Sequence, residues 1–226
     1  MNIDSDSYYA NHYESIMSRG LVGLMAKLNH LSLEHAPFAI QRMNLPDSKI
    51  LEVGAGHGQH YKYVDTNFGS YLMTDIRPHL LKTVELESSK VRIEDKSIDA
   101  EYLPYPENSF DRLVATCLLI HLPNPERALR EWKRVVKSNG LITIYLPCES
   151  GLLLRLAQSV STRRKQKKIG IDAKYLHYKE HPYTYPFLIS ILKNVFGENL
   201  KVRKFPFIYG GFDLNLWAVA SIKNIK

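Results

Sequence analysis

Between Lys49 and Pro147 short apolar runs alternate with amphipathic stretches, and the two periods predict a regular order of elements. Strands are expected near 49–53, 70–74, 91–97, 112–117 and 140–146, with helices near 57–67, 78–87 and 124–136. Glu94, Asp95 and Lys96 interrupt the third strand and make it the weakest. Such alternation predicts a parallel sheet with helices on both faces, joined by right-handed crossovers. In such a sheet ligands collect at the C-terminal edge of the strands. Glu52, Asp75, Asp99 and Thr116-Cys117 all fall at strand ends on that edge.

The flanking regions have other periods. In residues 7–45, Tyr13, Ile16, Met17, Leu21, Leu24, Met25, Leu28 and Leu31 recur at mostly three- and four-residue steps, which predicts helix, with Gly20 and Gly23 as break points. A second helix is expected from His35 to Met43. After Pro147, Gly151 to Val160 reads as a helix. The aromatic, histidine and proline-rich stretch from Tyr175 to Pro186 reads as a loop over the site, and Phe187 to Phe196 as an apolar-periodic helix. Lys201 to Phe207 and Leu214 to Ile222 alternate as a closing pair of strands. One domain over 1–226 results: a helical lid (1–47), a core (48–147), an insertion (148–186) and a C-terminal helix with hairpin (187–226).

Composition narrows the class. The 226 residues are 45% hydrophobic, enough for a real core. No apolar run reaches the roughly 18–20 residues that span a bilayer. The start, Met1-Asn2-Ile3-Asp4-Ser5-Asp6, is acidic and polar, unlike a signal peptide. Cys117 and Cys148 lie outside any metal-ligand spacing and are expected reduced, so a cytoplasmic location and no metal are anticipated. Net charge is +7, with Arg155, Arg163, Arg164, Lys165, Lys167 and Lys168 gathered in one segment without an acid. That run suits a solvated helix face or, equally, an anionic acceptor or anionic membrane surface. Nucleic acid is disfavoured because no aromatics interleave the basic run.

The candidate chemistry starts at Lys49-Ile-Leu-Glu-Val-Gly-Ala-Gly-His-Gly-Gln59. Glycines at 54, 56 and 58 let backbone approach a ligand closely. A dinucleotide loop wants a small residue where Gln59 stands, so that fingerprint fails. Glu52 ahead of the glycines would repel a pyrophosphate and suits a ligand with a cationic end, as S-adenosylmethionine has. Tyr71-Leu-Met-Thr-Asp75 ends a second strand in an acid placed for ribose hydroxyls. Further on come Asp99-Ala-Glu-Tyr-Leu-Pro-Tyr-Pro106, Asn108-Ser-Phe-Asp111, His121-Leu-Pro-Asn-Pro125 and Leu129 to Leu141.

In this order the motifs resemble the class I S-adenosylmethionine-dependent methyltransferases, in the small-molecule, type 11-like branch, across residues 48–147. Ser138-Asn139-Gly140 departs from the family's usual Pro-Gly-Gly, remote from the cofactor. The resemblance implies a Rossmann-like, doubly wound α/β sheet of seven strands, the last pair antiparallel. It also implies S-adenosylmethionine as cofactor, with Glu52, Gly54, Ala55, Gly56 and Gly58 around its methionine end. Asp75 would take the ribose and Asp99 with Ala100 the adenine, while Ile76, Thr116, Cys117 and His121 are further cofactor-binding candidates. Tyr8, Tyr9 and Tyr13 are candidates to cover the donor.

Transfer of a methyl group is an in-line displacement, and a hydroxyl nucleophile must also lose its proton. The candidate bases are His181, then Glu149, with His121 a family histidine that serves structure or cofactor contact equally well. His177 shares the aromatic loop with His181, and His57 faces solvent within the glycine loop. The stretch Leu146 to Leu156, Arg163-Arg164-Lys165, Glu180-His181 and Asn215-Leu216-Trp217 resembles, more loosely, methyltransferases of bacterial surface-polysaccharide biosynthesis. The expected acceptor is a sugar hydroxyl on a small molecule or glycan bearing phosphate. The alternatives are a quinone or lipid precursor, RNA, or a nicotinamide-dependent oxidoreductase in place of a methyltransferase.

Overall fold

A computed structural model of the chain describes residues 20–36, 47–64, 67–161 and 172–226. Seven strands form one sheet: β1 (Lys49–Val53), β2 (Ser70–Thr74), β3 (Val91–Ile93), β4 (Phe110–Thr116), β5 (Val136–Pro147), β6 (Leu200–Phe205) and β7 (Trp217–Lys223). Their spatial order is β3-β2-β1-β4-β5-β7-β6. The first five run parallel, while β7 is antiparallel to both β5 and β6. The order reverses between β1 and β4, so the switch point opens above the C-terminal ends of those two strands.

Helices α1 (Gly20–Glu34), α2 (Pro78–Leu81), α3 (Pro125–Val135), α4 (Leu152–Val160), α5 (Ala173–Glu180) and α6 (Tyr185–Phe196) complete the described elements. Each sheet face carries a core. On one, Trp132, Leu129, Leu188, Leu192 and Phe196 pack on Leu51, Leu113 and Ile144. On the other, Leu33 joins Ile50, Tyr71, Val114 and Trp217. The helix α3 forms where it does for local reasons. Asn124 accepts a hydrogen bond from the Arg127 N–H at 3.0 Å, Pro125 sits in the first turn, and Ala128, Leu129, Trp132 and Val135 share the buried face. Trp132 then reaches through the core to donate its indole N–H to the Ala100 carbonyl at 3.0 Å, which fixes the segment after β3.

A buried polar network ties α1 to the sheet. Arg112 on β4 donates two bonds to Glu34, at 2.7 and 3.0 Å, and two more to Thr143 Oγ1. His60 Nε2 lies 3.1 Å from Glu34, and His30 Nδ1 lies 3.2 Å from His60 Nδ1. Burial pushes the Glu34 carboxyl up, but the Arg112 charge and the His60 contact outweigh it and hold it down at about 2. Burial, then His60, lowers the His30 ring to about 3.

Several expected elements differ. The helix over 57–67 is only a 3-10 turn at Tyr61–Tyr63, because Gly58 takes a positive φ of 61° and the chain enters that turn late. The helix over 78–87 stops at Leu81, and Val84 instead packs its side chain beside Gly58. The third strand ends at Ile93, ahead of the charged residues. The fifth is longer: Phe110 pairs with Val136 and Arg112 with Leu141, so the 137–140 turn bulges out of a continuing ladder. Tyr175 to Glu180, expected as loop, lies in the helix α5. α1 packs on the sheet through Leu33, while Trp217 donates to Ser32 Oγ at 3.1 Å. Tyr8, Tyr9, Tyr13, most of the expected 35–43 helix and the basic run from Arg163 to Lys168 lie outside the described residues. Among the described residues, no helix is long and apolar enough to cross a membrane.

Candidate active site

The loop after β1 is set by its glycines. Gly54, Gly56 and Gly58 all have positive φ, at 63°, 54° and 61°. A Cβ on Gly54 would sit 2.5 Å from Leu118 Cδ1, and one on Gly58 would sit 2.7 Å from Val84 Cγ2. At Gly56 no atom of the described residues lies within 4 Å of that position, so this glycine borders space that those residues leave open. The Gly56 N–H donates to Asp75 Oδ2 at 2.8 Å, and Arg77 N–H donates to Asp75 Oδ1 at 2.8 Å. Asp75 at the end of β2 therefore clasps the loop from the side. Ala55 N–H adds a bond to the Thr74 carbonyl, and Ile76 stands exposed at the rim.

Glu52 sits elsewhere. It is 1% exposed and accepts a 2.9 Å bond from the Tyr71 hydroxyl, inside the α1-side layer and beneath the loop. Burial raises its carboxyl to about 7. The sequence pattern placed an acid here and had no means to say which sheet face it entered.

Asp99 is half-buried, and its Oδ1 accepts from Glu101 N–H at 2.8 Å. Ala100 is held behind it by Trp132. Two buried hydroxyls on this side, Thr116 Oγ1 and that of Tyr105, have no hydrogen-bond partner among the described residues. Cys117 follows β4 with a φ of 57°, and burial, then Glu149, pushes its thiol up to about 12, so it stays neutral. A cavity of about 400 Å³ opens between α1, residues 57–59 and residues 83–85, but none of Asp75, Asp99, His121 or Glu149 lines it.

Across the edge stands a histidine cluster. Glu149 is 4% exposed in the turn after β5, where Ser150 takes a φ of 72°. His181 Nδ1 donates to Glu149 Oε1 at 2.9 Å, and His177 Nε2 lies 3.2 Å from Glu149 Oε2. The His121 and His177 ring centroids each lie 4.7 Å from that of His181. Burial opposes ionisation of Glu149, yet the bonds from His177 and His181 prevail and hold it at about 2. Burial, then His181, lowers His121 to about 3. All three expected base candidates are thus brought into one group, and His177 joins them. The Arg112–Glu34–His60–His30 network was missed; an arginine inside the apolar run Phe110 to Thr116 was its one sequence signal.

The middle of the chain is similar to known methyltransferases. Residues 51–144, from β1 into β5, match the Methyltransferase domain family, of type 11. The 2-methyl-6-phytyl-1,4-hydroquinone methyltransferase 1 of Oryza sativa subsp. japonica is 35% identical over 106 residues, covering 44% of this chain and 31% of its own length. This chain thus spans about a third of that relative. An uncharacterized protein of Methanocaldococcus jannaschii, MJ1123, is 26% identical over 163 residues, or 72% of this chain and 71% of its own. In structure, a putative S-adenosyl-L-methionine-dependent methyltransferase from Methanococcus maripaludis superimposes with a TM-score of 0.65 at 18% identity, over 99% of this chain and 94% of that one. Residues 51–144 are thus similar to a methyltransferase domain, the seven-stranded fold agrees with that likeness, and S-adenosylmethionine is the cofactor that it implies.

Proposed function

We propose that the chain methylates a small-molecule or glycan acceptor at a hydroxyl, with the acceptor bound between the glycine loop and the Glu149 cluster. The observation that carries this is the juxtaposition of the two on one sheet edge, with β4 and its following turn between them. Leu118 touches the Gly54 side, and the His121 ring meets His181.

The residues suit the cofactor. Open space at Gly56, the partnerless Thr116 hydroxyl and the clasped Asp75 are features of a built cradle. Each Asp75 oxygen spends one lone pair on backbone and keeps another for a ribose hydroxyl. Asp99 and Ala100 would flank the adenine, with Ile76 covering it, and Gly54, Ala55, Gly56, Thr116 and Cys117 would border the methionine end. Bound there, S-adenosylmethionine supplies a methyl carbon already activated by a cationic sulfur. What remains for the chain is to orient the nucleophile and dispose of its proton. Glu149 with His177, His181 and His121 is the polar group facing that position.

The narrower form of the reading is a sugar hydroxyl on a phosphate-bearing precursor of a surface polysaccharide. The net charge of +7 favours an anionic acceptor. The rice relative's name favours a second form, a hydroquinone-type ring as acceptor. Radiolabelled methyl transfer to sugar-nucleotide, lipid-linked sugar and hydroquinone acceptors, with Asp99→Ala as control, tests both. The proposal expects label in at least one acceptor class and its loss in the variant; equal labelling by both proteins would refute the role given to Asp99.

A further inference from the structure

Among the described residues, one set of His, Cys, Asp and Glu side chains has ligand atoms close enough to share an ion: Glu149, His177 and His181, all within 4.8 Å of one another. The donors come from two elements. Glu149 is fixed by the turn after β5, where its N–H bonds the Pro147 carbonyl and Gly151 N–H closes on the Cys148 carbonyl. His177 and His181 are four residues apart and face the same way because His181 N–H continues the α5 ladder onto the His177 carbonyl at 2.9 Å. Bonds of about 2.0–2.2 Å to a cation at tetrahedral or octahedral angles place neighbouring donors roughly 3.0–3.5 Å apart. His181 Nδ1 lies 2.9 Å from Glu149 Oε1, just under that spacing, and His177 Nε2 lies 3.2 Å from Oε2, within it.

We propose that Glu149, His177 and His181 form a site for a divalent first-row transition cation on the acceptor side of the cleft. Two imidazoles and one carboxylate leave coordination positions open, as catalytic sites do and closed structural sites do not. The inference rests on the transferase reading and deepens it, because the open positions face the acceptor. A hydroxyl of the acceptor bound there loses its proton more easily, since a cation stabilises the oxyanion. The oxygen then forms a bond to the methyl carbon, the carbon–sulfur bond breaks with its electron pair left on sulfur, and the proton passes to water. The products are a methyl ether and S-adenosylhomocysteine, with no redox change at the metal. The His121 and His181 rings meet edge to face with centroids 4.7 Å apart, so His121 stands beside the ligands as a steric neighbour.

The test needs neither acceptor nor turnover. Tag-free protein is stripped with chelator and titrated with Co²⁺, read by visible absorption, and with Zn²⁺, read by calorimetry. The account expects one ion per chain and a nitrogen-ligand absorption band. Glu149→Gln, His177→Ala and His181→Ala should each weaken binding by about 100-fold or more. S-adenosylmethionine affinity of the metal-free protein serves as the folding control and should be unchanged in His177→Ala, whose side chain is half-buried. Absence of stoichiometric metal binding, or equal binding by wild type and all three variants, overturns the site. Loss of S-adenosylmethionine binding in the wild type would instead overturn the transferase reading.

Discussion

Gly56→Ala separates the two jobs that a loop glycine can have. Its φ of 54° lies in the left-handed region, and an added Cβ would meet no atom of the described residues within 4 Å. The substitution thus costs backbone strain without a clash, about 1–2 kcal/mol. For a chain of this size each kcal/mol lowers Tm by about 2–4 °C, so a drop of about 2–8 °C is expected. The new methyl group projects into the space assigned to the cofactor. S-adenosylmethionine affinity should therefore fall by at least about tenfold, or 1.4 kcal/mol, beyond the stability effect. Gly54→Ala is the contrast: its Cβ would press on Leu118 at 2.5 Å, adding about 1–3 kcal/mol of overpacking to the same strain. Calorimetric titration and thermal unfolding of both variants give the two readouts. A Gly56→Ala protein that melts within these limits and binds the cofactor as wild type does would refute the placement of the ligand.

Three further outcomes follow from the core. Arg112→Met strands the Glu34 carboxylate in the interior and should cost about 3–5 kcal/mol in denaturant unfolding, with the Glu34→Leu/Arg112→Met double variant recovering most of it. Glu52 has a folded pKa raised to about 7 against an ordinary 4.5, so the folded state holds more protons and stability falls as pH rises through that window. Glu52→Gln should flatten the decline, and an unchanged slope between about pH 4.5 and 7 would count against the buried acid. Trp132→Phe removes the N–H that holds the Ala100 carbonyl; loss of about 1 kcal/mol of positioning should weaken S-adenosylmethionine binding about fivefold.

The strands β1 and β2 were legible to the residue because each is a short run, mostly apolar at its centre (Ile50, Leu51 and Val53; Tyr71, Leu72 and Met73), closed by a turn, as buried parallel strands are. The helices expected over 57–67 and 78–87 were overextended. Periodicity there competes with close packing of Val84 on Gly58, a contact between segments that no local pattern encodes. The helix α5 was hidden because Tyr175, His177, Tyr178 and His181 carry ordinary loop chemistry; two of them find their partner in Glu149, distant in sequence. The same distance explains the site. The glycines, Asp75 and Asp99 announce themselves by order along the chain, whereas the gathering of His121, His177 and His181 around one carboxylate depends on how β4, β5 and α5 meet. Glu52 shows the limit in the other direction: an acid expected to face the ligand lies folded under the loop and bonded to Tyr71.

The central claim is that the cradle at Gly56, Asp75 and Asp99 receives a sulfonium nucleoside. Isothermal titration of the purified chain with S-adenosylmethionine and with S-adenosylhomocysteine tests it most directly. Saturable one-to-one binding of both, weakened in Asp75→Ala and Asp99→Ala proteins that remain folded, is the expected result; no heat with either compound, or variants that bind as tightly as wild type, would contradict it.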